Sequence, residues 1–128
     1  MIELVKLHHV SFATRNLTAS QAFFEGVLGL APIPRPSFSF PGAWYALGDR
    51  QLHLIENQSE AGAAPARLSR NDHLALEVAD VGQVRAALEK HGVAYQEGGN
   101  RALGMEQLFC RDPDGHVIEF VHCSETQR

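Results

Sequence analysis

Two cysteines, Cys110 and Cys123, are too few and too widely spaced for a disulfide framework or a thiolate metal site, and they read as the reduced thiols of a cytosolic protein. No apolar run approaches the roughly 20 residues that a membrane-spanning helix needs. No charged, apolar and small-residue leader opens the chain, so classical export is not expected either. Basic residues are few and dispersed. With 11 Lys and Arg against 15 Asp and Glu, the net charge is −4, which makes nucleic acid or an anionic membrane surface a poor partner. What the chain does have is 45% hydrophobic residues spread over 128 positions, enough for one core of domain size (residues 1–128).

Those residues recur in the same order twice. Leu7–Thr14 has the pattern of a strand, and Asn16 or Thr18 can cap a helix running to about Gly26 that buries Ala22, Phe23 and Val27 before Leu28-Gly29-Leu30 stops it. Ala31–Gly42 holds four prolines and reads as a loop or an irregular edge strand. Trp44–Leu47 and Gln51–Glu56 form a hairpin about Gly48-Asp49-Arg50. Module one thus covers about 5–57, and a linker rich in Gly, Ala and Ser covers about 58–71. Module two, about 72–123, begins with a strand over Asp72–Ala79, and Asp80 then caps a helix over Val81–His91. Val93–Gln96 is a short strand and Gly98–Gly104 a loop. Met105–Cys110 and Val117–His122 pair about Asp112-Pro-Asp-Gly115, which is turn chemistry and carries no catalytic role. An offset of 64 residues places His9 on His73 and Asn16 on Asp80, and one of 66 places His53 on Glu119. The economical reading is an α+β fold made of tandem βαβββ modules.

Alternation along each strand then sorts the polar residues. His9, Ser11 and Ala13 share one face, His73, Ala75 and Glu77 another, and Gln51, His53 and Ile55 a third. Glu119 stands among apolar residues of the last strand, where an unpaired carboxylate is costly. His9, His53, His73 and Glu119 all fall on the side away from the helices, and imidazoles with a carboxylate suit a divalent ion, Zn, Ni, Mn, Fe or Co. Such an ion would make an inward Glu119 tolerable. His53 can equally be a ligand, a residue that touches substrate or strand filler. His8 points opposite to His9 by parity, and Glu56 has the wrong parity for the site and reads as a solvated strand end. Glu77 is a candidate acid or base. Ser11 and Gln107 are candidate substrate contacts, and Phe109 alternates toward the same side as Glu119. Phe38, Phe40, Trp44 and Tyr45 can line an apolar pocket.

The segments LHHVSFATRNLTASQAFFEGVLGL, DHLALEVADV and DPDGHVIEFV together resemble the vicinal oxygen chelate superfamily, which includes glyoxalase I, fosfomycin-thiol transferases, extradiol dioxygenases and bleomycin-resistance proteins. The resemblance implies eight strands in an incomplete barrel around a metal bound by His9, His73 and Glu119, with His53 at the place of a fourth ligand. It also implies a cytoplasmic homodimer with sites shared between subunits, acting as a lyase, isomerase or transferase on a small oxygen-chelating substrate, with Glu119, His53 and Glu77 as catalytic candidates. Glyoxalase I usually carries a glutamate where this chain has His53. Phe109 stands where fosfomycin-thiol transferases tend to have a tyrosine, which disfavours fosfomycin modification. A ring-cleaving Fe(II) dioxygenase and a non-catalytic drug-binding protein are the alternatives.

Overall fold

The computed structural model describes residues 1, 3, 5–58, 73–100 and 104–123, which fall into two compact units divided between Ala61 and Gly62. The linker expected at about 58–71 and the start of the strand expected at Asp72 lie almost wholly outside the described residues. Among these residues no helix is long and apolar enough to cross a membrane.

The first unit opens with β1 (His9–Thr14) and α1 (Leu17–Gln21), continues as a π-helical turn (Ala22–Val27), and ends with β2 (Gly42–Leu47) and β3 (Arg50–Glu56). The sheet order is β1-β3-β2, with β1 parallel and β2 antiparallel to β3. Asn16 caps α1 by accepting the amide of Ala19 at 3.0 Å. The following turn is wider than α, with the Leu28 amide on the Phe23 carbonyl, and that widening rotates the buried face. Phe23 and Phe24 are buried while Ala22 is exposed, so the expected trio of Ala22, Phe23 and Val27 is corrected. Phe24 meets Phe12 and Tyr45, above the fully buried Leu52 and Leu54.

The second unit runs β4 (Leu74–Glu77), α2 (Val81–Lys90), β5 (Tyr95–Asn100), β6 (Met105–Arg111) and β7 (Val117–Cys123). Its sheet order is β4-β7-β6-β5, with β4 parallel to β7 and the other pairs antiparallel. Asp80 caps α2 through the Gly82 amide at 2.8 Å, and Gly92 leaves it at φ +68°. Leu108, Cys110, Ile118 and Phe120 form the core on the α2 side. β5 extends through Gly98, where a loop was expected. The glycine is there for space rather than for a turn: a Cβ at Gly98 would lie 3.1 Å from the Phe109 ring.

The duplication is therefore visible in the pairing of each unit. Where β5 sits in the second sheet, the first has only an isolated bridge between Pro32 and Tyr45, flanked by hydrogen bonds from Ile33 to Trp44 and from Ala46 to Ala31. Proline cannot donate to a ladder, so the eighth strand position is an irregular edge and seven regular strands are formed among the described residues.

Candidate functional site

Each unit carries its own polar cluster on the sheet face away from its helix. In the first, β3 presents His53 between Ser11 of β1 and Trp44 of β2 in register. The rings of His9, His53 and Trp44 stack in a column, with centroids 4.2 Å apart at 18° and 4.1 Å apart at 5°. His53 is buried and its Nε2 lies 2.8 Å from Gln51 Oε1, which fixes the ring. Burial first, and then the neighbouring His9, His8 and Arg35, hold the His53 pKa below the usual imidazole value, so the ring is neutral at pH 7. Ser11 and His9 are exposed.

In the second unit, β7 presents Glu119 between Ala75 of β4 and Phe109 of β6. Glu119 is only 8% exposed. His73, just before β4, brings Nε2 to 3.6 Å from Glu119 Oε1, and Gln107 Nε2 approaches the same oxygen at 3.4 Å. The Phe109 ring stands 6.4 Å from that of His73, edge to face. Glu77 follows Ala75 by two residues and shares its face, which is also that of Glu119. The two clusters match position for position: a polar residue on the last strand, an aromatic on one side, a small residue on the other, and a histidine two residues before the small one.

Several expectations change. His8 precedes β1, so strand parity does not govern it, and its Nδ1 sits 2.9 Å from His9 Nδ1 rather than facing away. Glu56 is not a solvated strand end: its carboxylate accepts the amide of Leu17 at 3.1 Å and caps α1 from across the unit. Tyr45 turns to the helix side, where it is fully buried and donates to Glu25 Oε2 at 3.1 Å, so it lines no pocket. Burial, with Glu25 beside it, pushes its phenol pKa upward. Phe38 and Phe40 remain exposed beside Trp44, with Phe38 and Trp44 centroids 6.1 Å apart. Asp112, Asp114 and His116 bring their ligand atoms within 4.8 Å of one another in the β6–β7 turn. Asp112 is already committed there, accepting the amides of Asp114 and His116 and the His116 ring. The sequence reading passed over Arg35, although an arginine between two prolines just ahead of two phenylalanines was a usable signal.

The family model of the Glyoxalase/Bleomycin resistance protein/Dioxygenase superfamily matches residues 6–120, a span that holds both clusters. The chain belongs to this superfamily. A relative from Arabidopsis thaliana, Glyoxylase I 4, is 34% identical to this superfamily member over 131 residues, covering 95% of this chain and 73% of the relative. A glyoxalase family protein from Bacillus anthracis superposes with a TM-score of 0.79 at 23% identity, over 97% of this chain and 100% of the other. A variant of the fosfomycin resistance protein FosX from Listeria monocytogenes, complexed with Mn(II) and 1S,2S-dihydroxypropylphosphonic acid, gives 0.79 at 15% identity over 98% of each chain. At these identities the two structures establish the glyoxalase-type fold of this α+β chain.

Proposed function

We propose that this superfamily member is a divalent-metal-dependent enzyme of the glyoxalase type, a lyase, isomerase or transferase, acting on a small substrate that chelates through two oxygens. Glu119 is the observation that carries the reading. A buried carboxylate is costly unless strongly compensated, and its neighbours are one amide and one imidazole. A cation would compensate it fully. His9, His73 and Glu119 would hold the ion, with His53 as a fourth ligand, and imidazole with carboxylate donors suits Zn, Ni, Mn, Fe or Co. Bound there, the ion supplies Lewis acidity toward vicinal oxygens and lowers the pKa of an adjacent C–H or water.

The remaining work falls to the chain. Gln107 orients the Glu119 carboxylate. Gln51 and Trp44 fix His53, whose neutral ring can accept a proton at pH 7 if it stays off the metal. Glu77 is the other candidate base. Ser11, opposite His53, offers a hydroxyl to substrate, while Trp44 and Phe109 cover its apolar parts. Pairing of two chains in the cytoplasm, with sites shared between subunits, completes the reading. Elemental analysis of protein purified without added metal tests it: near-stoichiometric divalent metal is expected, and metal-free protein that takes up none on addition would refute it. Oxygen uptake with catechols would instead favour a ring-cleaving dioxygenase, which uses a similar set of two histidines and one carboxylate.

A further inference from the structure

The segment before β2 carries a cation outside the metal-ligand set. Arg35 stands between Pro34 and Pro36, whose rings restrict the backbone on both sides and hold the arginine extended. Its guanidinium carbon lies 4.8 Å from the Phe38 centroid and 5.1 Å from that of Phe40. Those two rings are themselves stacked at 5.1 Å and 10°. Nη2 donates to the Phe40 carbonyl at 3.0 Å, so the head group is held in place.

The guanidinium also lies against Gly42, where a Cβ would come within 2.4 Å of the Leu54 carbonyl oxygen and 2.8 Å of Arg35 Nη2. By alternation along β2, Gly42 shares the face of Trp44, so the guanidinium lies over the same face that carries His53. Three other arginines are engaged differently: Arg50 with Asp49, Arg85 with Glu97, and Arg111 with the Gly115 carbonyl. Arg35 has no carboxylate partner among the described residues, and its Nε is buried without a hydrogen-bond partner. A half-buried, preorganised guanidinium that meets no carboxylate among the described residues, beside exposed aromatic rings, is suited to an incoming oxyanion.

We propose that Arg35 recognises a carboxylate or phosphonate group of the substrate, so that the substrate class is a small oxyanion with an apolar or aromatic body packed on Phe38 and Trp44. The inference rests on the functional reading above for the choice of face, but not on the metal. Trp44 is the only tryptophan of the chain and stacks on His53, so its fluorescence reports occupancy. Full-length protein, both chelator-treated and metal-loaded, is titrated with phenylacetate, phenylphosphonate and the neutral phenylacetamide. An anion should bind at least about tenfold more tightly than the amide, as for a charge-assisted hydrogen bond. In Arg35→Gln the anion preference should vanish while amide binding persists, and Arg35→Lys should restore part of it. The ranking of the two anions names the preferred oxyanion. Equal binding of anions and amide by the unaltered protein, or a preference that survives Arg35→Gln, overturns the inference. Absence of metal uptake together with an Arg35-dependent preference would remove the metal reading alone.

Discussion

His53 and Glu119 occupy matching strand positions, yet each is made tolerable in its own way. The imidazole of His53 loses its charge and stacks between two rings, which suits a buried site. Glu119 has neither a guanidinium nor an ammonium beside it among the described residues. Under the proposed function, His73→Ala should abolish stoichiometric metal binding, and Glu119→Gln should weaken it by more than about 100-fold, beyond the effect of losing a residue that merely supports a ligand. Glu56→Gln should leave metal content unchanged and lower stability by about 0.5–1 kcal/mol through the loss of charge at the α1 start. Calorimetric metal titration and urea unfolding separate the two effects, and the reverse order of sensitivity would show that Glu56 had been placed wrongly. Cys110 illustrates burial alone: its thiol is pushed up to about 12, first by desolvation and then by Asp112. In a Cys123→Ser background, Cys110 should resist iodoacetamide at pH 8 until urea unfolds the chain. Rapid alkylation of the folded protein would contradict its burial.

Among elements, the β6–β7 turn is tied together by one carboxylate. Asp112 gathers two backbone amides and the His116 ring at 2.7 Å, while Gly115 supplies a φ of +91°. Burial of the His116 ring opposes its charge, but the hydrogen bond and negative charge of Asp112, with Asp114 nearby, prevail and raise the pKa above 6.5. A raised folded-state pKa means that the native state holds the proton more tightly than the unfolded chain. The contribution is therefore complete below about 6.5 and lost as pH rises through the raised value. The urea midpoint should fall between pH 6 and pH 8.5, and His116→Asn should flatten that part of the profile; an unchanged slope would assign the titration elsewhere. Helix α2 offers a simpler case. Asp80→Ala should cost about 1 kcal/mol by removing the oxygen that accepts the Gly82 amide. The exposed Arg85–Glu97 pair at 2.5 Å joins α2 to β5, and as a surface pair it should contribute little when removed.

At the scale of the molecule, the repeated βα unit gives two half-sets of the proposed ligands, one in each unit. If sites are shared between subunits, His9→Ala and His73→Ala chains should each fail to bind metal. Refolded together in equal amounts they pair at random, so about half of the dimers are mixed, each with one of its two symmetry-related sites intact, and the mixture should regain about a quarter of the wild-type capacity. No recovery on mixing would place all ligands of a site in one chain. Much of this organisation was legible beforehand: the offset that sets His53 on Glu119, the Asn16 and Asp80 caps, and the faces of β1 and β3 follow from local chemistry and alternation. Less legible were the π-helical turn, which moved the buried face to Phe23 and Phe24, and β5, whose glycines read as a loop until Phe109 was seen lying over Gly98. Tyr45 and Glu56 failed as sequence readings for a common reason, since each is anchored by a partner distant in the chain.

The sequence by itself determined the two-fold repeat, the superfamily and the strand faces that carry His9, His53, His73 and Glu119, because period, caps and turns are properties of neighbouring residues. Only the tertiary structure decided that His53 is stacked and neutral, that Glu56 caps a helix, and that Arg35 lies over Phe38 and Phe40 without a carboxylate among the described residues. Those outcomes depend on burial and on partners brought together from separate segments, and neither is a function of sequence spacing.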